Sequence, residues 1–333
     1  MTALTDELAI GPVRLPNRVV LAPLAGIGNW FVRLQARRYG AGLVVSEMVS
    51  SHAVHYRNAR THRELLRIDP REHVGGPVCV QLFGADPEVM RSAAATVAAL
   101  GADLIDINMG CPVPKVCKTG AGAALLADPD LAVALARAAA AGSGLPVTVK
   151  LRSGWRAGAR DGIELAHRLV REAGVAAIAV HPRAATTAHR GRPDYALAAE
   201  LVRTLDVPVI LSGGLDSAAA VHEAHAQTGA AAVMLARGSL GNPWLFEQVL
   251  GTRSCAPGDG EVLAELDWVI EQASAHLGVA RASRYLRRFY PWYVERLTLP
   301  RVAARALQQA VVQADSFAAV RELLESSLAA QPA

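Results

Sequence analysis

Cys111 is the residue of this sequence whose type and position first indicate chemistry. It lies in the stretch DINMGCPVPKVCKTGAG, residues 106–122, directly after LIDINM, which alternates apolar and polar residues as a β-strand does. Gly110 and Pro112 interrupt regular structure on either side of it. A structural cysteine usually packs inside an element as a small apolar residue. The sequence therefore predicts that Cys111 is displayed at a strand end, where a ligand can reach it.

Lysine is rare in this chain and falls close to that motif. Of the 34 basic side chains only three are lysine, at Lys115, Lys118 and Lys150. A compact ammonium and a planar guanidinium are not interchangeable at a binding site. Because arginine is used almost everywhere else, we interpret Lys150, at the end of another strand pattern, as a position that needs an ammonium.

Eight apolar runs of strand character, alternating with helical patterns, predict the frame that positions these residues. The runs are 18–26, 43–49, 78–84, 104–110, 147–153, 177–183, 208–214 and 232–238. Eight strands, each followed by a helix within about 250 residues, predict an α/β protein of the (β/α)8 TIM-barrel class. The pattern alone leaves a doubly wound open sheet as the alternative. In a barrel the carboxyl ends of the strands form one face, and that face carries the chemistry.

Polar, glycine and other small residues collect at the ends of these runs. In chain order they are Pro23, Leu24, Ala25, Gln81, Asn108, Cys111, Lys150, His181, Arg183, Ser212, Gly213, Gly214, Ala236 and Arg237. Glycine-rich turns after the last two strands are typical of the phosphate-binding sites of such barrels. We therefore expect a phosphorylated ligand, with Lys150 above its middle and Cys111 nearby.

Each of these positions also has a purely structural interpretation. The glycines could form plain turns, Lys150 could lie on the surface, and His181 could be a hydrogen-bonded core histidine. Gln81 and Asn108 could each satisfy only backbone groups at the barrel rim.

The last part of the chain differs in pattern from the first. We predict that residues 1–250 form the barrel, that 251–260 are a linker, and that 261–333 form a small all-helical domain. Between Arg281 and Arg305 there are seven arginines and one acid.

Three of these arginines, Arg281, Arg284 and Arg288, are spaced to share one helical face, which favours contact with nucleic-acid phosphates. A solvated helix face is the alternative.

Composition limits the class of protein. The 333 residues, 52% of them hydrophobic, are enough for one large and one small domain. There is no signal-peptide pattern and no membrane-spanning apolar stretch, and four cysteines without regular spacing do not form a disulfide framework. We therefore expect a protein of the reducing cytoplasm. A net charge of +4 is too small to establish a nucleic-acid partner.

The run DINMGCPVPKVCKTGAGAALL resembles the signature of the tRNA-dihydrouridine synthases, flavin enzymes that reduce specific uridines in transfer RNA. The matching positions are Asp106, Asn108, Gly110, Cys111, Pro112, Lys115, Val116, Gly122 and Leu125. APLAG, SEM, VQLFG, VKLRSGW, the pair His181-x-Arg183 and GNPWLF agree in order and spacing. The similarity is greatest to the bacterial B-type branch. It implies a flavin-binding barrel followed by a helical domain that binds tRNA.

The same resemblance implies FMN as the cofactor and NADPH or NADH as the electron donor. It places the FMN contacts on Pro23, Leu24, Ala25, Gln81, Lys150, His181, Ser212, Gly213, Gly214, Ala236 and Arg237. Hydride would pass from N5 of FMN to C6 of the uracil, and Lys150 would stabilise the reduced ring. Cys111 would donate the proton to C5, because a thiol is mostly protonated at neutral pH.

We expect the tRNA substrate to contact side chains of both predicted domains. These are Asn108, Lys115, Arg183, Arg281, Arg284 and Arg288. No metal site, DNA partner or membrane association is expected.

Two other functions stay open at this point. One is an FMN-dependent dehydrogenase or reductase of a free pyrimidine or a dihydroorotate-like base, and the other is an RNA-binding protein without enzymatic activity. The chain also departs from the family pattern at Ser212, Gly214 and Ala236, and at the pair Gly28-Asn29. Which uridine and which tRNAs are modified does not follow from the sequence.

Overall fold

Eight parallel strands close into a barrel in the computed structural model, which describes residues 2–330. The strands are β1 Leu8–Ile10, β2 Val13–Leu15, β3 Val19–Leu21, β4 Leu43–Val45, β5 Val49–Ser50, β6 Val78–Phe83, β7 Leu104–Met109, β8 Val147–Gly154, β9 Ala177–Ala184, β10 Val209–Ser212 and β11 Ala232–Leu235. Strands β3, β4 and β6 to β11 pair in chain order, and β11 pairs back onto β3. The predicted TIM barrel is therefore confirmed, and the alternative of an open sheet is wrong.

Helices alternate with the barrel strands and continue alone after them. In the described residues they are α1 Trp30–Arg38, α2 Ser51–His55, α3 Pro87–Ala99, α4 Pro114–Cys117, α5 Pro129–Ser143, α6 Asp161–Ala173, α7 Tyr195–Thr204, α8 Ala218–Thr228, α9 Trp244–Leu250, α10 Asp259–Leu277, α11 Val279–Leu286, α12 Tyr290–Val294, α13 Arg301–Gln313 and α14 Phe317–Ala329. No helix in this range is long and apolar enough to cross a membrane.

An apolar layer fills the amino-terminal part of the barrel. Alternate residues of the strands point inward there and pack against the antiparallel hairpin of β1 and β2. The cluster contains Leu8, Ile10, Leu15, Val20, Ala22, Leu43, Val45, Cys79, Leu104, Ala177, Ala179, Ile210, Ala232 and Met234. Burying this surface favours folding by roughly 25 cal/mol per Å². The layer leaves the carboxyl ends of the same strands for polar side chains.

Glycine ends or tightens several helices as sequence rules predict. Helix α6 ends at Gly174, which adopts a left-handed conformation with φ of 65°. Helix α5 runs through Gly142 and ends at Gly144 instead. A Cβ at Gly142 would collide with the backbone of Arg91, so this glycine allows α3 and α5 to approach closely.

The chain divides into two compact units, the first ending at Ala236 and the second beginning at Arg237. The second unit is helical in the described residues, with a core that includes Val262, Leu266, Val269, Leu286, Phe289, Tyr290, Tyr293 and Val294. Helix α9 belongs to it, whereas the predicted domain boundary lies after residue 250. Residues 251–258 carry no helix or strand. The division of tasks between the predicted domains stays a prediction.

Candidate active site

Register across the parallel strands brings the polar strand-end residues side by side. Gln81 of β6 pairs with Asp106 of β7, and Asn108 of β7 pairs with Lys150 of β8. The pairing of β8 with β9 then places Arg152 beside His181. Because all eight strands are parallel, these side chains share the carboxyl end of the barrel.

Asp106 lies at the base of this polar layer and is 2% exposed. Its Oδ2 accepts a hydrogen bond from Gln81 Nε2 at 2.6 Å, and its Oδ1 accepts one from Thr148 Oγ1 at 2.6 Å. Burial raises the pKa of Asp106, while the two hydrogen bonds and the charge of Lys150 oppose that rise. Asp106 is therefore a buried acid whose oxygens are both engaged.

Asn108 connects this acid to the loop that carries Cys111. Its Nδ2 donates to Gln81 Oε1 at 2.8 Å, and its Oδ1 accepts from the backbone N–H of Cys111 at 2.9 Å and of Gly110 at 3.3 Å. Gln81 is itself entirely buried, and both ends of its amide are engaged by Asp106 and Asn108.

The loop after Cys111 folds back on itself. The thiol of Cys117 donates to the backbone carbonyl of Cys111 at 3.3 Å, and the N–H of Ala123 donates to the same oxygen at 2.9 Å. Gly122 adopts φ of 64°, and a Cβ there would press on that carbonyl as well. Cys111 remains partly exposed within this fixed backbone, as the sequence predicts.

Lys150 is partly buried and, within residues 2–330, its ammonium has no hydrogen-bond or ion-pair partner. Burial and the charge of Arg152 lower the pKa of Lys150 to about 8, against attraction from Asp106 and Cys111. Burial, followed by repulsion from Arg183, lowers the pKa of Arg152 to about 10, and Cys111 again acts in the opposite direction. The sulfur of Cys111 thus lies within electrostatic reach of two buried cations.

His181 is a buried, neutral imidazole. Arg183 Nη1 lies 3.0 Å from His181 Nε2, and because a guanidinium can only donate, Nε2 must accept. Burial and the neighbouring cations Lys150, Arg152 and Arg183 depress the pKa of His181 strongly. The proton of the neutral ring therefore resides on Nδ1.

The turn after β10 requires its glycines. Gly213 and Gly214 have φ of 99° and 78°, in the left-handed region. A Cβ at Gly213 would run into the ring of His181, and one at Gly214 would approach Tyr195 Oη at 2.7 Å. Tyr195 also donates to the Gly213 carbonyl at 3.0 Å. Ser212, which precedes the turn, is buried.

The loop after β3 reaches the same end of the barrel. Leu24 is buried, Pro23 is partly buried and Ala25 is exposed. The backbone N–H of Gly26 donates to Glu47 Oε2 at 2.7 Å. A Cβ at Gly28 would meet the Leu24 carbonyl at 3.0 Å, so the pair Gly28-Asn29, where the chain departs from the family pattern, coincides with a close turn.

The remaining predicted residues are exposed or partly buried. Lys115 is exposed on α4, and Ala236, the last residue of the first unit, is partly buried. Arg237 is exposed and begins a short 3-10 turn of the second unit.

The seven arginines from Arg281 to Arg305, which we call the arginine cluster, are all exposed. They are Arg281, Arg284, Arg287, Arg288, Arg296, Arg301 and Arg305. Helix α11 ends at Leu286, so Arg288 lies in the following turn, with its guanidinium 5.1 Å from the ring centre of Tyr285. Phe289, Tyr290 and Tyr293 are core residues of this unit.

Sequence reasoning missed Asp106, Arg152 and Thr148 as parts of the site. Asp106 was visible only as a position of the matching motif, and Arg152 falls at alternate spacing after Lys150 on β8. That spacing is the signal that could have placed Arg152 on the same face.

The residues present fit a flat, anionic, phosphate-bearing cofactor such as FMN. A partly buried ammonium without a protein partner, Lys150, faces the barrel interior beside Arg152 and Arg183. The glycine turn at Gly213 brings backbone close to His181, where no side chain would fit. In contrast, no group of three or more metal-ligating side chains occurs within residues 2–330.

The fold and this site define an α/β-barrel enzyme. Among solved structures, a mutant of morphinone reductase in complex with tetrahydroNAD superposes with a TM-score of 0.59 at 16% identity, covering 79% of this chain and 94% of that one. At that identity the likeness concerns the fold alone.

The family follows from sequence comparison. The dihydrouridine synthase (Dus) family model matches residues 20–329. tRNA-dihydrouridine synthase B of Pseudomonas aeruginosa is 38% identical over 298 residues, 87% of each chain, and probable tRNA-dihydrouridine synthase 1 of Synechocystis sp. is 34% identical over 333 residues, covering 98% of this chain and 91% of that one. The chain belongs to the dihydrouridine synthase family of oxidoreductases, which confirms the resemblance inferred from the Cys111 motif.

Proposed function

We propose that this protein binds FMN at the carboxyl ends of the barrel strands and reduces specific uridines of tRNA to 5,6-dihydrouridine, with NADPH or NADH as electron donor. The observation that carries the proposal is the placement of Cys111. Its backbone is fixed by Asn108, and its sulfur lies within electrostatic reach of Lys150 and Arg152.

Several residues of the chain would hold the cofactor. When bound, FMN would supply the hydride that is added to C6 of the uracil ring. Lys150 would donate a charge-assisted hydrogen bond to the electron-rich edge of the ring. The backbone of the Ser212, Gly213 and Gly214 turn would approach the phosphate, as glycine-rich turns at this place do in other barrels. The contacts of Pro23, Leu24, Ala25, Gln81, His181, Ala236 and Arg237 with FMN stay predictions.

Cys111 would hold the proton that C5 of the uracil requires. After the transfer its sulfur becomes a thiolate, and the nearby positive charges of Lys150 and Arg152 stabilise that anion. Asn108 would keep the thiol in place by holding the Cys111 backbone N–H. The acid and the cations that favour its deprotonated product thus belong to one loop and one strand.

The base has to leave the tRNA stack to reach this buried layer. The exposed arginine cluster would hold the phosphates of the tRNA, with Arg281 and Arg284 on α11 and Arg288 in the turn after it. Lys115 and Arg183 would contact the substrate near the thiol, and we propose both as substrate-binding residues.

Reduction of a free pyrimidine or a dihydroorotate-like base is the competing function. The test uses the purified full-length protein loaded with FMN, with flavin absorbance followed during anaerobic addition of NADPH or NADH. The reduced protein is then given tRNA that lacks dihydrouridine, and the modified positions are mapped by mass spectrometry. Dihydrouridine in the tRNA supports the proposal, whereas turnover of free uracil or dihydroorotate without any tRNA product would contradict it.

A further inference from the structure

Two side-chain amides and three hydrogen bonds link the buried acid of the barrel to the backbone of Cys111. Asp106 accepts from Gln81, Gln81 accepts from Asn108, and Asn108 accepts from the Cys111 N–H, at 2.6, 2.8 and 2.9 Å. We call this series, Asp106–Gln81–Asn108–Cys111, the amide chain. Asp106, Gln81 and Asn108 are at most 8% exposed, so water competes little for its bonds.

The direction of the amide chain is fixed by its Cys111 end. A backbone N–H can only donate, so Asn108 must present Oδ1 to Cys111 and Nδ2 to Gln81. Gln81 must then present Oε1 to Asn108 and Nε2 to Asp106, whose Oδ2 accepts. Thr148 satisfies the other carboxylate oxygen at 2.6 Å. Both side-chain amides therefore have one orientation that satisfies every member.

A purely structural layer would not need a carboxylate at this place. The layer below is apolar, and it fills the barrel with residues such as Val45, Leu104 and Ile210. Burying an acid carries a desolvation cost that apolar side chains of similar volume avoid. The acid and both amides are moreover connected in one line to the loop that presents the thiol.

We propose that Asp106 and Gln81 are positioning residues that fix the orientation of Asn108 and, through it, the backbone at Cys111. This gives Gln81 a role within the protein in addition to the predicted contact with FMN, consistent with its complete burial and with the bonds at both ends of its amide. The catalytic consequence rests on the function proposed above. The amide chain itself is a property of the folded protein and can be tested in the absence of any ligand.

The first test measures amide hydrogen exchange in peptides that contain Gly110 and Cys111, in protein free of cofactor and substrate. In Asp106→Leu the Gln81 amide loses its fixed acceptor, and we expect the Cys111 N–H to exchange about 10-fold faster, as the loss of one net hydrogen bond predicts. In Asp106→Asn the new Oδ1 can still accept from Gln81 and the new amide can donate to Thr148. Exchange in that variant should stay within about twofold of wild type.

Asp103→Leu is the matched control. It removes an aspartate three residues earlier that accepts from the Val78 backbone N–H at 2.8 Å and pairs with His73, without touching the amide chain. Exchange at Gly110 and Cys111 should not change in it. The proposal is overturned if Asp106→Leu exchanges like wild type there, or if Asp106→Asn exchanges as fast as Asp106→Leu.

Gln81→Met covers the case in which Asp106→Leu does not fold. It breaks the middle of the amide chain with a side chain of similar length. Faster exchange at Cys111, with unchanged exchange in α5, supports the proposal, and unchanged exchange at Cys111 overturns it.

The second test addresses the catalytic consequence. In Gln81→Met we expect kcat for dihydrouridine formation, expressed per bound FMN, to fall about 10-fold with KM for tRNA unchanged, because the thiol is mispositioned while the arginine cluster is untouched. Asp106→Asn should retain a kcat within about threefold of wild type. A further outcome is that hydrogen exchange changes as expected while neither the wild type nor any variant forms dihydrouridine. In that case the proposed function is wrong and the positioning role of the amide chain is retained. If the wild type is active and kcat is unaffected in Gln81→Met, the positioning role fails alone.

Discussion

The cations at the carboxyl ends of the barrel strands are held differently from those of the helical unit. Lys150 and Arg152 are partly or fully buried, and burial is the largest cause that lowers the pKa of each. The arginine cluster is exposed throughout. Buried cations interact strongly with one ligand in one pose, whereas exposed cations are screened by salt and contribute roughly additively. The first set suits a cofactor, and the second suits a polyanion.

This difference predicts effects of different kinds. Changes at the barrel end should alter the retention of one ligand or the rate of one step. Changes in the arginine cluster should weaken tRNA binding in small steps that depend on salt. The comparison is wrong if changes at the barrel end weaken tRNA binding in small salt-dependent steps, or if changes in the arginine cluster alter cofactor retention.

The largest effect is expected at Cys111, which lies near Lys150 and Arg152. Cys111→Ala should lower dihydrouridine formation by about 100-fold or more, since loss of a general acid costs that much, while FMN retention and oxidation of NADPH continue. The control is Cys117→Ser, which keeps a donor to the Cys111 carbonyl and should retain activity within about threefold. The acid role is wrong if Cys111→Ala yields normal product in the mass-spectrometric assay.

Lys150 should show opposite effects on ligand retention and on stability. Lys150→Met should lower FMN retention by about 10-fold or more, measured as flavin absorbance per protein, because methionine cannot donate the charge-assisted hydrogen bond. The same change should raise the free energy of unfolding of the cofactor-free protein by about 1–3 kcal/mol at pH 7, because an unpartnered buried ammonium is removed.

The pH dependence of that stability gain checks its cause. The pKa of Lys150 is lowered from 10.5 to about 8 in the folded state, so its penalty is fully present below pH 8. As pH rises from about 8 to 10.5 the folded protein has released the proton and the unfolded chain has not, so the advantage of Lys150→Met should shrink. A gain in stability that does not vary with pH would point to packing instead.

The arginine cluster should behave as a set of phosphate-binding side chains. Replacing Arg281, Arg284 and Arg288 together by alanine should weaken tRNA binding about 10-fold near physiological salt. It should also reduce the slope of log K against log salt by roughly 0.7–0.9 for each phosphate that these arginines no longer neutralise. Arg321→Ala, which removes an exposed arginine paired with Asp267, is the control. Loss of FMN rather than of tRNA affinity in the triple variant would overturn the comparison.

The smallest effect is expected from titration of Lys150 in the wild-type enzyme. With its pKa lowered to about 8 in the cofactor-free protein, the protonated fraction falls roughly fourfold between pH 7 and 8.5. The affinity for FMN should decline over the same range, because the deprotonated amine cannot donate a charge-assisted hydrogen bond. Titration of the cofactor-free protein with FMN at several pH values gives this affinity. An affinity that does not change up to pH 9 would remove Lys150 from FMN binding.

The barrel could be predicted from the sequence because each of its eight strands lies in an apolar run that is long enough, or is bounded clearly enough by turn residues, to be recognised. Six of the eight predicted runs contain their barrel strand entirely, and β8 and β9 each extend one residue beyond the predicted run. The hairpin β1–β2 and strand β5 were missed, since runs of three and two residues are too short to show a period of two. A glycine after a helical run usually ends the helix, but Gly142 lies inside α5 and allows close packing there.

The candidate site was predictable at the level of single positions and not at the level of contacts. Motif and strand-end reasoning named Gln81, Asn108 and Lys150. The bonds that join Asp106 to Gln81 and to Thr148 depend on the register between three strands, which one sequence does not specify. The shared face of Arg281, Arg284 and Arg288 required one continuous helix, whereas α11 ends at Leu286.

The hairpin of β1 and β2 has a kinetic consequence for the enzyme proposed here. The hairpin packs Leu8, Ile10 and Leu15 into the amino-terminal layer and so closes that end of the barrel. A nicotinamide donor and an extruded nucleobase that both need the same buried layer must then enter and leave from the carboxyl end of the barrel. The oxidised donor has to dissociate before the nucleobase can bind, so oxidation of the donor and reduction of the base alternate in time.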